Sequence, residues 1–349
     1  MVKDFKWKLL AVAALISSYC ASTFTQAPVL LAAPESPNED YKREALSEMI
    51  LLSVDKATMK AELKTWPEDA SQSKVLKSFK IAMGKEKGDK EKEGDNKTPE
   101  GIYFPQKHIS GSSLQQSKYG PRAIPLDFPN PIDKLDGKTG YGIWLHGAGN
   151  DERIAKTNVT EGCVAFYNND INRLSSWLEP YQALVVIAKD SSEVNKELEI
   201  KAVKERTLNW IAAWQARDLD SYISFYSDDF QLKGRTKSSY ADYKRGVFKS
   251  YKTMRVGISD LRIVTHPKYA VSIMNQDFDG DGRFISNGRK ILFWSRAGNG
   301  EWQIVREHFS PRRFTPPVFT VKDINKLQRE TTELSSPERV ETHQISAKS

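Results

Sequence analysis

The chain has 349 residues, of which 39% are hydrophobic and 28% are charged. This length predicts about two domains, and a mean hydropathy of −0.56 excludes a protein that crosses a membrane many times. Two cysteines are too few for a disulfide scaffold or a Cys-rich zinc domain. The net charge of +7 is spread along the chain, so the sequence predicts no nucleic-acid binding.

Residues 1–22 have the pattern of a secretory signal peptide. Three lysines precede a short apolar stretch, and small residues follow it around Cys20. The stretch is short for a bilayer span, and an uncleaved membrane anchor is the alternative interpretation. We therefore expect an exported protein of the periplasm or cell envelope. After removal of the signal it would keep one cysteine, Cys163.

The next part of the chain is predicted to be a linker followed by a mainly β domain. Residues 23–47 are the linker, with a short helical segment over residues 41–48, and residues 48–189 are the domain. A charge run within residues 84–97 has nearly balanced signs, which predicts a solvated loop. Apolar and alternating runs predict strands at residues 49–54, 59–66, 75–83 and 183–188, and a helix at residues 170–178.

A second domain is predicted over residues 195–312. It begins with an amphipathic helix at residues 196–216, and two short helices follow it. Strands are predicted at residues 254–264, 269–278, 290–297 and 302–309. Helices followed by strands favour an α+β domain with a curved antiparallel sheet. Residues 327–349 contain few apolar residues and are predicted to be a disordered tail.

The segment from Gly142 to Phe166 carries the chemically informative residues. His146 ends an apolar run, and Cys163 follows 17 residues later, directly after Gly162. A cysteine attacks as its thiolate and therefore needs a base, which an imidazole on a neighbouring strand can supply. A glycine before the cysteine lets backbone amides approach an oxyanion. A buried structural cysteine and a satisfied core histidine are the alternatives.

This segment closely resembles the catalytic domain of the L,D-transpeptidases (YkuD type). Their signature is His-Gly, a spacer, and Ser/Thr-x-Gly-Cys, matched here by His146-Gly147 and Thr160-Glu161-Gly162-Cys163. The resemblance covers about residues 48–189 and implies a β-sandwich with short helices. Supporting segments are residues 94–103, 119–122, 126–130 and 137–140.

The resemblance implies acyl transfer on peptidoglycan stem peptides, the expected partner of this protein. Cys163 would attack the carbonyl between the L-centre of a diamino acid and the following D-alanine. His146 would act as general base and then as acid, oriented by the carbonyl of Gly147, with Gly162 in the oxyanion region and Thr160 at the substrate. An amine or water would then resolve the thioester. No cofactor and no metal is implied.

One position departs from the family pattern. Many members carry Arg or Asn two residues after the cysteine, where this chain has Ala165. Arg122 is the candidate that would replace this group in binding the substrate. The absent side chain leaves open which acceptor is used.

The second domain resembles the nuclear transport factor 2-like (NTF2-like) fold, a cone of helices against a curved sheet. Such domains serve as enzymes, ligand pockets or dimer modules, so a dimer or a protein partner through this domain is expected without being specified. The pairing of the two domains is similar to L,D-carboxypeptidases that trim stem peptides and set cell shape. A non-catalytic wall-binding scaffold is the alternative from another class.

The run Asp277–Gly282 places alternate aspartates before glycine, as calcium loops do. Gly288 stands where a loop of that kind needs a closing glutamate. We therefore predict a tight polar turn between two strands, and no metal site.

Overall fold

The structure is a computed structural model that describes residues 46–329. The predicted signal peptide, most of the predicted linker and residues 330–349 lie outside the described residues. Within the described part, no helix combines the length and the apolar character that a membrane span requires.

The first half of the described chain consists mainly of short strands. Ten of these strands form one sheet, and the helices between them are short. The elements are β1 (Leu46–Ser47), β2 (Met49–Asp55), β3 (Lys60–Trp66), β4 (Val75–Gly84), β5 (Gly101–Tyr103), β6 (Ile109–Ser110), α1 (Gln116–Tyr119), β7 (Arg122–Pro125), α2 (Pro131–Leu135), β8 (Trp144–His146), α3 (Glu152–Ala155), β9 (Asn158–Thr160), β10 (Val164–Phe166), α4 (Asn168–Ser175) and β11 (Ala183–Ala188).

Two fully buried strands, β2 and β11, lie next to each other inside this sheet. The order is β5-β11-β2-β3-β4-β10-β8-β7-β6, and β9 also pairs with β4. β2 and β11 run parallel, and every one of their residues is buried. A continuous apolar run is what a strand covered on both faces requires. The predicted mainly β domain is therefore confirmed.

The second half of the described chain begins with helices and continues with a four-stranded antiparallel sheet, in which neighbouring strands follow one another in chain order. The first of these helices is long and amphipathic, because its buried residues Val203, Trp210 and Trp214 lie close to helical spacing. This arrangement confirms the predicted α+β fold with its antiparallel sheet. The elements are α5 (Glu197–Ala216), α6 (Leu219–Ser224), β12 (Gln231–Leu232), β13 (Arg235–Thr236), α7 (Lys237–Ser250), β14 (Met254–Thr265), β15 (Ala270–Gly280), β16 (Phe284–Arg296) and β17 (Trp302–Ser310).

Both faces of the four-stranded sheet are covered. One face packs on the helices through a core that includes Trp210, Met274 and Trp294. The other face packs on the first domain and forms a second core with β2, β5 and β11. That second core contains Met49, Leu51, Trp66, Ile102, Phe104, Leu184 and Val186 on one side, and Val264, Tyr269, Val271, Ile273, Ile291, Phe293 and Val305 on the other. The two domains therefore share an apolar interior.

The described C-terminal segment returns to the first domain as β18 (Val318–Phe319) and α8 (Val321–Arg329). β18 pairs with β1, and the Phe319 ring stacks on Trp177 with 3.8 Å between ring centroids. Leu327 is buried against the first domain's core. Two predictions need correction as a result. Residues 46–47 form a strand instead of a helical segment, and residues 327–329 belong to a helix instead of a disordered tail, because Leu327 has an apolar surface to cover.

Residues 281–283 form the predicted polar turn between β15 and β16, whereas residues 277–280 of the same run belong to β15. The Asp281 carboxylate accepts hydrogen bonds from the backbone N–H groups of Lys252 (2.7 Å) and Thr253. These bonds fix the loop before β14 to the turn. β16 starts at Phe284, six residues earlier than predicted, and its residues 284–294 pair with β15.

Candidate active site

His146 and Cys163 are brought to one face of the sheet by two parallel strands. Ala165 of β10 lies opposite His146 of β8, and Val164 lies opposite Leu145. Since side chains alternate along a strand, Cys163 shares the face of Ala165 and His146. Both Cys163 and His146 line a cavity of about 650 Å³. The structure therefore places the two predicted residues in one site, and their catalytic roles stay a prediction.

The His146 ring is held in one tautomer by the backbone that follows it. Its Nδ1 lies 2.5 Å from the carbonyl oxygen of Gly147. A carbonyl can only accept, so Nδ1 carries the proton and Nε2 keeps a lone pair. Burial lowers the pKa of His146 to about 4, although the hydrogen bond to Gly147 acts in the opposite direction. The ring is therefore a neutral base at neutral pH.

Asn168 fixes the loop that leaves His146. Its side-chain oxygen accepts from the N–H of Ala148, and its amide donates to the carbonyl of Ala148, each at 2.9 Å. A Cβ at Gly147 would lie 2.2 Å from the Asn168 Oδ1, so a larger residue here would displace the Asn168 side chain. Asn168 lies outside the two sequence motifs, and the sequence analysis missed it.

Cys163 is partly exposed and lies at the N-terminal end of β10. Its thiol donates a hydrogen bond to the carbonyl of Gly142 at 3.3 Å. Burial raises the pKa of Cys163 to about 11, and a backbone hydrogen bond at Trp144 offsets this only in part. At neutral pH the cavity therefore holds a neutral thiol and a neutral imidazole, and nucleophilic attack requires that the thiol lose its proton to a base.

Thr160 and Gly162 shape the turn before the cysteine. The Thr160 hydroxyl donates to the Cys163 carbonyl at 2.7 Å and accepts from the N–H of Gly162 at 3.2 Å. Gly162 has a φ of +126°, and a Cβ there would lie 2.7 Å from the Lys97 carbonyl oxygen. The predicted close approach of the backbone is therefore present. The N–H of Gly162 already donates to the Thr160 hydroxyl, however, and both hydrogen bonds of that hydroxyl lie within the turn.

The positive charge at the cavity comes from residues that the sequence analysis missed. Arg122, the predicted substitute for the missing cation, does not line the cavity, and its Nε donates to Asn172 at 3.1 Å. Arg153 and Lys118 line the cavity instead. Both cations also act to lower the pKa of His146. Arg153 lies in the spacer between the two motifs, where the family signature gives no signal.

The charge run predicted as a solvated loop forms one wall of the cavity. Lys85, Lys90, Glu93 and Asn96 all line it. The Lys90 ammonium lies 2.8 Å from the Asp95 carboxylate, with 4% and 6% of the two side chains exposed. The prediction is wrong for this pair, because an internal ion pair allows both charges to be buried. We call residues 85–97 the cavity wall.

Across residues 46–329, no three His, Cys, Asp or Glu side chains lie close enough together to hold a metal ion.

Family models match the two domains separately. Residues 54–187 match the L,D-transpeptidase catalytic domain (YkuD), and residues 202–308 match the Cds6 C-terminal NTF2-like domain. The putative L,D-transpeptidase YafK of Escherichia coli strain K12 is 26% identical over 138 residues, which are 39% of this chain and 50% of the relative. The chain thus spans about half the length of that curated relative.

Two solved structures are similar across both domains. Bdellovibrio bacteriovorus Bd1075 is 27% identical with a TM-score of 0.66, covering 76% of this chain and 93% of that protein. The helical cell shape determining protein Pgp2 from Campylobacter jejuni is 23% identical with a TM-score of 0.61, covering 75% and 92%, and this likeness establishes the fold. The chain carries a YkuD-type L,D-transpeptidase catalytic domain followed by an NTF2-like domain.

Proposed function

We propose that this protein is an exported cysteine acyltransferase that acts on peptidoglycan tetrapeptide stems in the cell envelope. The bond cleaved would be that between the L-centre of the diamino acid and the terminal D-alanine. The observation that carries the proposal is one cavity lined by Cys163 and by His146, whose Nδ1 is fixed on the Gly147 carbonyl. The match of residues 54–187 to the catalytic domain supports the same chemistry.

In the first half-reaction, Nε2 of His146 takes the proton of the Cys163 thiol as the sulfur attacks the substrate carbonyl carbon. The carbon–nitrogen bond to D-alanine then breaks, and the imidazolium returns the proton to the departing amine. The product is a thioester on Cys163. Because the thiol and the imidazole are both neutral at the start, this order of steps needs no thiolate–imidazolium ion pair in the resting enzyme.

The cations at the cavity would recognise the stem carboxylates. Ala165 offers neither charge nor amide beside the nucleophile, whereas Arg153 and Lys118 line the same cavity. Arg153 also has the planar geometry that suits a carboxylate. We assign substrate binding to Arg153 and Lys118, and none to Arg122, whose side chain bonds Asn172.

The thioester has two classes of acceptor. Attack by an amine of a second stem gives L,D-transpeptidation and a cross-link, which is the activity we propose first. Attack by water gives L,D-carboxypeptidation and a tripeptide. The second activity is the one implied by the similarity of the domain pairing to L,D-carboxypeptidases.

The test is mass spectrometry of the purified protein incubated with tetrapeptide muropeptides, with Cys163→Ala as the matched control. We expect loss of D-alanine with the wild type and none with the variant. A cross-linked dimer would identify the transpeptidase, and a tripeptide alone the carboxypeptidase. Unchanged tetrapeptide with both proteins would contradict the proposal and leave the wall-binding scaffold.

A further inference from the structure

The turn between β14 and β15 of the NTF2-like domain reaches into the catalytic domain, near the cavity wall. We propose that Lys268 and Tyr269 of this turn are positioning residues that hold the cavity wall (residues 85–97) in place for substrate binding. The functional part of this inference rests on the proposed function, whereas the contact between turn and wall can be tested without it.

Tyr269 is anchored inside the catalytic domain. Its side chain is 1% exposed, and its hydroxyl accepts from the N–H of Ile102 at 2.5 Å and donates to the carbonyl of Ile102 at 3.0 Å. It also accepts from the Asn130 side-chain amide at 2.8 Å. One donor and two acceptor sites are thereby all used. A Cβ at Gly101 would lie only 2.8 Å from this hydroxyl, so the glycine leaves the space that the Tyr269 side chain occupies.

Lys268, beside Tyr269, forms an ion pair with Asp89 of the cavity wall. Asp89 also lies 2.7 Å from the Lys138 ammonium, which in turn lies 2.8 Å from Asp133. The side chains of these three catalytic-domain residues are 15% exposed or less. The other oxygen of Asp133 accepts from the backbone of Asn130 at 3.1 Å, and Asn130 bonds Tyr269. The contacts therefore form a closed ring that begins and ends on the same turn.

A further chain of contacts connects this ring to the cavity. Asp89 precedes Lys90, which lines the cavity and whose buried ammonium pairs with Asp95. Asp95 accepts from the N–H of Lys97 at 3.1 Å, and the Lys97 carbonyl is the group that packs against Gly162. The wall thus lies between the NTF2-like turn and the residue before Cys163. The strand pairing of β8 with β10, which places His146 and Cys163, involves none of these residues.

This separation predicts a specific kinetic signature. Lys268→Met should raise KM for a tetrapeptide stem by about tenfold, within the range by which a residue of a coupling network changes binding, and should leave kcat within about twofold. Lys268→Arg keeps the charge and should restore KM. Lys237→Met is the matched control, because it removes an ion pair with Asp228 in the same domain that lies away from the cavity.

Hydrogen exchange measured on the same proteins tests the contact itself. In Lys268→Met, exchange of residues 85–97 should become faster, while exchange of α5 stays as in the wild type. Unchanged exchange of residues 85–97, or an unchanged KM in an active enzyme, would overturn the inference. If the wild type has no activity on tetrapeptides, the proposed function fails, and the exchange measurement alone decides whether the turn holds the wall.

Discussion

The resting state of the catalytic pair gives the sharpest prediction, because two mechanisms differ in how Cys163 reacts as the pH changes. In many cysteine enzymes a thiolate–imidazolium ion pair exists before substrate binds. Here burial raises the pKa of Cys163 to about 11 and lowers that of His146 to about 4. Both shifts favour the neutral forms, so the account predicts no such ion pair at neutral pH.

The magnitude follows from these pKa values. At pH 7 a thiol with a pKa of about 11 is thiolate to about one part in 10⁴, roughly a hundredth of the fraction for the ordinary value of 9.0. The rate of Cys163 alkylation by iodoacetamide should therefore rise about tenfold per pH unit from pH 7 to 10. Peptide mass spectrometry separates Cys163 from Cys20 in this assay.

His146→Ala provides the control. Since the imidazole is neutral at rest, its removal should leave the pH dependence of alkylation almost unchanged, while D-alanine release falls by about 10²- to 10⁴-fold through loss of the general base. Thermal unfolding of both proteins checks that the variant is folded. An alkylation rate that levels off near pH 6 in the wild type, and loses this plateau in His146→Ala, would refute the neutral pair.

Three further outcomes are expected. Gly162→Ala should destabilise the fold by about 1–2 kcal/mol in thermal unfolding, because φ is +126°, and should lower kcat/KM by about 100-fold, whereas Gly298→Ala, in open space, should do neither. Arg153→Ala should raise KM about tenfold and Arg122→Ala less than about threefold in steady-state assays; equal effects would contradict the assignment. Burial lowers the pKa of Lys244 to about 7. Stability should therefore rise from pH 7 to 10, where only the unfolded chain keeps that proton, and this rise should shrink in Lys244→Met.

The sequence was sufficient to predict that His146 and Cys163 lie in one site, because the signal for this pair is local. His146 and Cys163 each stand next to a glycine at the end of a short apolar run, and parallel strand pairing then places them together. The close approach of the backbone at Gly162 could also be anticipated, and in the structure a Cβ there would lie 2.7 Å from the Lys97 carbonyl oxygen. A requirement of this kind can be predicted from the residue type, because glycine alone lacks a Cβ.

The groups around the pair could not be predicted, because their positions depend on tertiary structure. Lys90 and Asp95 look like solvated charges in sequence, and only their mutual contact makes burial acceptable. Arg122 lies in a supporting motif yet points to Asn172, whereas Arg153 lies in a variable spacer yet lines the cavity. Charge type alone does not tell which cation reaches a site.

The contact between the domains was missed for a related reason. Residues of β15 from Ala270 to Met274 are all buried, as expected for a strand that is covered on both faces. The sequence shows that something covers the second face, but it does not identify the partner. In the structure the partner is the catalytic domain, which leaves that face unavailable to a second copy of the chain.

The most direct test of the central claim is the mass of the intact protein after brief mixing with a tetrapeptide muropeptide. The account predicts an added mass equal to the stem without its D-alanine, located on the Cys163 peptide and absent from Cys163→Ala. Release of D-alanine by the variant at the wild-type rate, or an adduct on any other residue, would contradict it.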